Sequence, residues 1–136
     1  MTETVVDASA ALAWILKSQR TSAAMSFINQ IHDVGLIAPH IFFWETHNVL
    51  LRLLQRGRLL EIDYVEASSV LNDFDIAIEP PFSAEQAVPL ALAERLSLFD
   101  SAYLALAINR NAPLASRDDG LLAAAARRRV KTWDLR

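Results

Sequence analysis

Five short apolar runs punctuate the chain, and none shows the in-and-out alternation of a half-buried strand. They are "TVVDAS", "LIAP", "IAIEP", "APLAS" and "VKTWDL". Runs this brief, bounded by turn residues, predict strands buried on both faces. Between them lie longer stretches with apolar positions at helical spacing. "AALAWILK" follows Ser9, a predicted N-cap, and "SAAMSFINQIHD" comes next. "HIFFWETHNVLLRLLQRG" starts past Pro39 and stops at Gly57, a residue suited to a helix end. "EIDYVEASSVLNDF" predicts an amphipathic helix, and "SAEQAVPLALAERL" predicts one that Pro89 either kinks or restarts. "LFDSAYLALAINRN" and "GLLAAAARRR" complete the set. Strands alternating with helices predict an α/β fold: a central, mostly parallel sheet of about five short strands with helices on both faces.

At 136 residues, without linker-like or repetitive segments, the chain is expected to form a single domain spanning 1–136. There is no cysteine, which excludes disulfides and thiolate metal sites. The opening "MTETVVDASA" has no basic region before an apolar run, and no apolar stretch approaches the ~20 residues that span a bilayer. A soluble, cytoplasmic protein that engages no membrane is the expectation. Hydrophobic residues make up 53%, above the ~45–50% of ordinary soluble domains, which predicts that a partner covers part of the surface. A net charge of −3 does not suggest nucleic-acid binding by composition alone.

In parallel sheets ligands bind beyond the carboxyl ends of the strands. Asp7 follows the first strand, and Ser116, Asp118 and Asp119 follow "APLAS". Asp100 falls on a largely apolar helical stripe with Leu96, Ser97, Tyr103 and Leu104, and Glu45 on one with Ile41, Phe42 and Val49. Carboxylates in such places are seldom buried without a partner. No lysine or arginine is set against each of them, and gathered anions raise one another's pKa values. A hard divalent cation, Mg²⁺ or Mn²⁺, answers both problems, because it takes oxygen ligands and needs neither His nor Cys. The chemistry this supports is metal-assisted phosphodiester hydrolysis.

"VVDASA", "WETHNVL", "LSLFDSAYLALA" and "LASRDDGL" resemble, in this order and spacing, the four acidic motifs of the PIN domain. The resemblance covers essentially the whole chain and is greatest to the small VapC-type ribonuclease toxins of toxin–antitoxin pairs. It implies a three-layer α/β/α fold and cleavage of single-stranded regions of RNA, often a structured RNA such as tRNA. It also implies a metal cluster of Asp7, Glu45, Asp100 and Asp118 holding Mg²⁺ or Mn²⁺, with Ser116 as a supporting hydroxyl. Asp119 stands where family members often carry a basic or polar residue, so a helix-start or outer role is expected of it. A homodimer, silenced by a small VapB-like antitoxin lying across its groove, is further implied.

Simpler readings exist for each residue. Asp100 fits the first turn of a helix, where the dipole favours an acid. Glu45 could sit at the edge of an apolar face, and Ser116 could be a turn residue. Asp7 could cap the first helix, although Ser9 is available for that. His32, His40 and His47 lack ligand spacing. Trp14, Phe42, Phe43, Trp44 and Trp133 read as core before base-stacking platforms, with Trp14 and Phe42 to Trp44 the best candidates for an antitoxin-binding surface. Arg127 to Arg129 complement a helix C-terminus. Without the four site carboxylates the remainder is slightly basic. Arg52, Arg56, Arg58, Arg110 and Arg117 then become candidate phosphate contacts. The rival function is a non-catalytic α/β interaction module whose acids are caps and a solvated rim. An aspartyl-phosphate receiver is a third reading, weakened because Lys131 begins the last strand instead of following one.

Overall fold

The computed structural model describes residues 2–79 and 83–136. Five strands, β1 (Thr2–Val6), β2 (Val34–Pro39), β3 (Ile76–Glu79), β4 (Leu114–Ser116) and β5 (Thr132–Asp134), form one sheet in the order β3-β2-β1-β4-β5. All four pairings are parallel, so the sheet expected to be mostly parallel is wholly so. Pro80, the last residue of the predicted "IAIEP" run, lies outside the described residues.

Among the described residues seven α-helices connect the strands: α1 (Ala8–Ile15), α2 (Ser22–Gln30), α3 (Phe42–Gln55), α4 (Glu61–Asp73), α5 (Ala84–Glu94), α6 (Leu98–Arg110) and α7 (Asp119–Arg127). A short 3₁₀ turn at Lys17–Gln19, not predicted, follows α1. Right-handed crossovers put α1 to α4 on one face and α5 to α7 on the other, and the helix contacts divide in the same way. The strand order reverses between β1 and β4, and such a switch point opens a crevice at the carboxyl edge.

Local chemistry fixes the helix ends. Thr21, Ser83 and Ser97 cap α2, α5 and α6 through their hydroxyls. At the end of α3, Gly57 adopts φ +67° while its N–H and that of Arg58 bond back to Leu54 and Leu53, a Schellman closure that glycine allows without strain. Pro89 neither ends nor restarts α5, which runs through it from Ala84 to Glu94. The first helix departs from expectation. Its cap is Asp7, whose extended backbone (φ −96°, ψ 174°) and carboxylate close the first turn, and Ser9 lies inside that turn.

Val5, Val6, Leu36, Ile37 and Leu114 form the sheet's share of the core, against Leu12, Leu50, Leu104 and Leu121 from the helices. Trp14 belongs to this core: it is 3% exposed, stacks on Phe27 and packs against Phe74. Phe42 is buried as well, so neither contributes to a docking surface. Trp44 is different, at 82% exposed. Arg127 and Arg128 both pair with Glu94, so two cations of the arginine run link the C-terminal end of α7 to that of α5.

Candidate active site

At the β1–β4 switch point Asp7 is buried, and its carboxylate joins the two strand ends. Oδ1 accepts the Ser9 hydroxyl (2.7 Å) and the Ala10 N–H (2.9 Å); Oδ2 accepts the Ser116 hydroxyl (2.5 Å). Ser116 Oγ in turn accepts the Asp118 N–H, and Ser9 Oγ the Arg117 N–H, each at 2.9 Å. The loop after β4 is thereby fastened to the loop after β1. Burial pushes the Asp7 carboxyl up to about 6, against the pull of the hydrogen bonds from Ser116, Ser9 and Ala10 and with added repulsion from Asp100.

Glu45, in the first turn of α3, reaches this edge from one face of the sheet. Tyr103, on α6, reaches it from the other, and its hydroxyl donates to Glu45 Oε1 at 2.5 Å. Burial raises the Glu45 pKa, the Tyr103 bond opposes the rise, and Asp100 adds to it. The Tyr103 hydroxyl is pushed far above its ordinary range by burial and by Glu45, so it remains a donor. Sequence reasoning assigned Tyr103 no role, although its position one turn from Asp100 on the same helical stripe was a usable signal.

Asp100 is the third residue of α6, with its N–H bonded to the capping Ser97 hydroxyl (3.0 Å). The dipole reading is therefore geometrically correct for its backbone, but its carboxyl is half-buried and raised by burial and by the charge of Asp118, with Ser97 opposing. Asp100 is the electrostatic hub, since it raises Asp7 and Glu45 and is itself raised by Asp118. Asp118 is exposed and caps α7, its Oδ1 accepting the Leu121 N–H at 2.7 Å. Asp119 turns away, ion-paired with Arg136 at 2.7 Å. Asp119 is the first residue of α7, in keeping with the helix-start position expected of it, while the capping hydrogen bond is made by Asp118.

The PIN domain family model matches residues 4–127. The chain belongs to the PIN-domain family. Comparison with curated proteins gives no match. Among solved structures, this PIN domain resembles PAE2754 from Pyrobaculum aerophilum (TM-score 0.68, 23% identity, 90% of this chain and 79% of that one). It also resembles FitAcB from Neisseria gonorrhoeae (TM-score 0.55, 19% identity, 96% of both chains). At these identities the likeness is one of fold. The family is one of nucleases, and the PIN domain described here carries its acids at the sheet edge where that chemistry is expected.

The donor set suits a hard divalent cation. None of the ion pairs among the described residues involves Asp7, Glu45, Asp100 or Asp118. Arg117, beside them in the chain, turns its guanidinium to Gln19 (3.2 Å). Asp7 Oδ1 is saturated by two donors, Oδ2 retains one acceptor position, and Glu45 Oε2 and Asp118 Oδ2 accept no hydrogen bond among the described residues. No three acidic or histidine side chains among the described residues converge as a ready ligand set. That arrangement still fits Mg²⁺, which is commonly held by one or two carboxylates and completes its shell with water and substrate phosphate.

Proposed function

We propose that this PIN domain is a Mg²⁺- or Mn²⁺-dependent endoribonuclease that cuts single-stranded regions of RNA, acting as the toxin of a VapC-type toxin–antitoxin pair. The observation that carries the reading is that Asp7, Glu45, Asp100 and Asp118 lie near the switch point and that none of them pairs with a protein cation among the described residues. Holding the buried Asp7 near the half-buried Glu45 and Asp100 without a counter-charge opposes folding, and the arrangement is explained if the counter-charge arrives as a ligand.

The chemistry a divalent cation supplies when bound is a lowered pKa for water and neutralisation of charge on the scissile phosphate. The protein's part is orientation. Asp7, fixed at both oxygens, offers one rigid acceptor position; Glu45 is fixed at one oxygen by Tyr103 and offers the other. Asp100 is half-buried and close enough to both to raise their pKa values, and Asp118 is exposed. Ser116 orients Asp7 and the Asp118 backbone and is a positioning residue. The toxin assignment rests on the four-motif resemblance. It implies a homodimer and a VapB-like antitoxin, and the exposed Leu60, Ile62 and Val65 on and before α4 provide apolar surface for such a partner.

The test is cleavage of a single-stranded RNA by the wild type and by Asp7→Asn and Asp100→Asn, with Mg²⁺, with Mn²⁺ and in EDTA. Metal-dependent cutting by the wild type alone is expected. Full activity in EDTA, or undiminished cutting by both variants, would overturn the proposal.

A further inference from the structure

Helix α3 buries Phe42, Thr46 and Leu50 against the core. Trp44 lies midway between the first two in sequence, about 200° around the helix, and so on the opposite side. At 82% exposed it is the most solvent-exposed large apolar side chain of the described residues. A single exposed apolar residue is ordinary on a protein surface. What sets this one apart is its neighbourhood. Glu45, whose side chain belongs to the candidate site, is the next residue, about 100° around the helix, so Trp44 is adjacent in sequence to the site. Asn48, one helical turn after it, and His40, in the turn that precedes α3, are both exposed and polar. Arg52, and Arg56 at the helix C-cap, follow at the same four-residue spacing, also exposed, roughly 12 and 18 Å along the axis and turned about 80° and 120° from Trp44, so the row winds around the helix.

The charges on this stripe are uncommitted. Arg110, Arg127, Arg128 and Arg136 are all tied to carboxylates, whereas Arg52 and Arg56 form no ion pair among the described residues. Leu51, 49% exposed and two turns on, adds some apolar surface in line with Trp44, but the residues at four-residue spacing are histidine, asparagine and arginine, not the apolar series that a helix partner calls for. A flat indole followed by a hydrogen-bonding amide and two free guanidinium groups is the chemistry of single-stranded nucleic acid: a base stacks, a base edge is touched, and phosphates are neutralised. The need for it is physical, because an acidic cluster repels the polyanion it is to act on.

We infer that the outer stripe of α3 formed by Trp44, Asn48, Arg52 and Arg56 is a track for single-stranded RNA, with the Trp44 indole stacking on an unpaired base next to the acid cluster. The inference rests on the nuclease reading above for its substrate, but it is testable without cleavage. A ten-nucleotide single-stranded oligoribonucleotide is titrated in EDTA into the full chain carrying Asp100→Asn, and tryptophan fluorescence is followed; Trp14 is buried and Trp133 half-buried, so Trp44 is the accessible reporter. Quenching is expected. Trp44→Ala should abolish it and weaken binding on the order of ten-fold, with Trp44→Phe intermediate. Arg52→Ala with Arg56→Ala should reduce the slope of log affinity against log salt by about 1.4. In otherwise wild-type protein Trp44→Ala should raise KM and leave kcat nearly unchanged. Unaltered affinity and KM in Trp44→Ala would overturn the track and leave the nuclease standing. Binding through Trp44 without metal-dependent cutting by the wild type would do the reverse. Loss of a protein partner's binding with RNA binding intact, or no RNA binding at all, would also overturn the track.

Discussion

The Tyr103 hydroxyl donates to Glu45 Oε1 at 2.5 Å, joining α6 on one face of the sheet to α3 on the other across the carboxyl edge of the strands. Tyr103 is 1% exposed and Glu45 half-buried, so the bond is partly shielded from water. It also fixes which Glu45 oxygen remains open.

Tyr103→Phe removes the donor and keeps the ring. A hydrogen bond to a charged group contributes about 1.5–3 kcal/mol, so urea unfolding at neutral pH should show a loss in that range. Because the bond opposes the raised Glu45 pKa, its removal raises that pKa further, and the acidic limb of the pH–rate profile should move to higher pH. An unmoved limb would show that Glu45 ionisation does not limit activity.

Asp7 departs from the usual behaviour of a folded carboxyl. Its pKa is raised to about 6 from 3.8, so the folded state holds the proton more tightly than the unfolded chain. On this group's account stability is greatest below about 4 and is lost as pH rises through about 6, to a cost on the order of 3 kcal/mol. Asp7→Asn should therefore be more stable than the wild type in EDTA at pH 8, with the gain shrinking as the pH falls through 6 and vanishing near 4. A less stable Asp7→Asn at pH 8 would mean that the bonds from Ser9, Ser116 and Ala10 outweigh desolvation.

Asp118 and Asp119 provide a ranked comparison. Asn caps a helix about as well as Asp, so Asp118→Asn should keep α7 and the melting temperature while removing the exposed carboxylate from the cluster. Asp119→Asn breaks only an exposed ion pair with Arg136 and should change neither stability nor activity measurably. RNA cleavage should fall by at least ten-fold in the first variant and stay near wild type in the second. The opposite order would place the motif's acid one residue later.

Most of the sheet was legible because a continuous apolar run too short for a helix, set between helical periods, is accommodated best as a buried strand. Two of the candidate acids stood out in the sequence for a related reason: Asp100 and Glu45 interrupt apolar stripes. Other features depend on contacts between distant parts of the chain. Asp7 and Ser9 are equally good caps in sequence, and only the extended backbone at Asp7 decides between them. Trp14 and Trp44 both follow apolar residues, but Trp14 is buried by Phe27 from α2 and Phe74 beyond α4, which no local pattern reveals. Trp44 was legible in principle, because it falls between Phe42 and Thr46 and a helix cannot bury both sides against one core. Tyr103 was visible on the Asp100 stripe, but its partner lies 58 residues away.

Metal binding is linked to both stability and pH, and it separates a nuclease from an interaction module. A ligand that binds only the folded state stabilises it by about 2.7 kcal/mol at one hundred times its Kd, several degrees in Tm for a domain of this size. Mn²⁺ should therefore raise the Tm of the wild type and not that of Asp100→Asn. The effect must also depend on pH, because a cation needs ionised ligands and competes with their protons. With Asp7 near 6 and Glu45 and Asp100 both raised, the Mn²⁺-induced shift should be larger at pH 8 than at pH 5. Differential scanning fluorimetry across this range is sufficient. A shift of equal size at both pH values, or one retained in Asp100→Asn, would place the ion away from these carboxylates; no shift at all would favour the non-catalytic module.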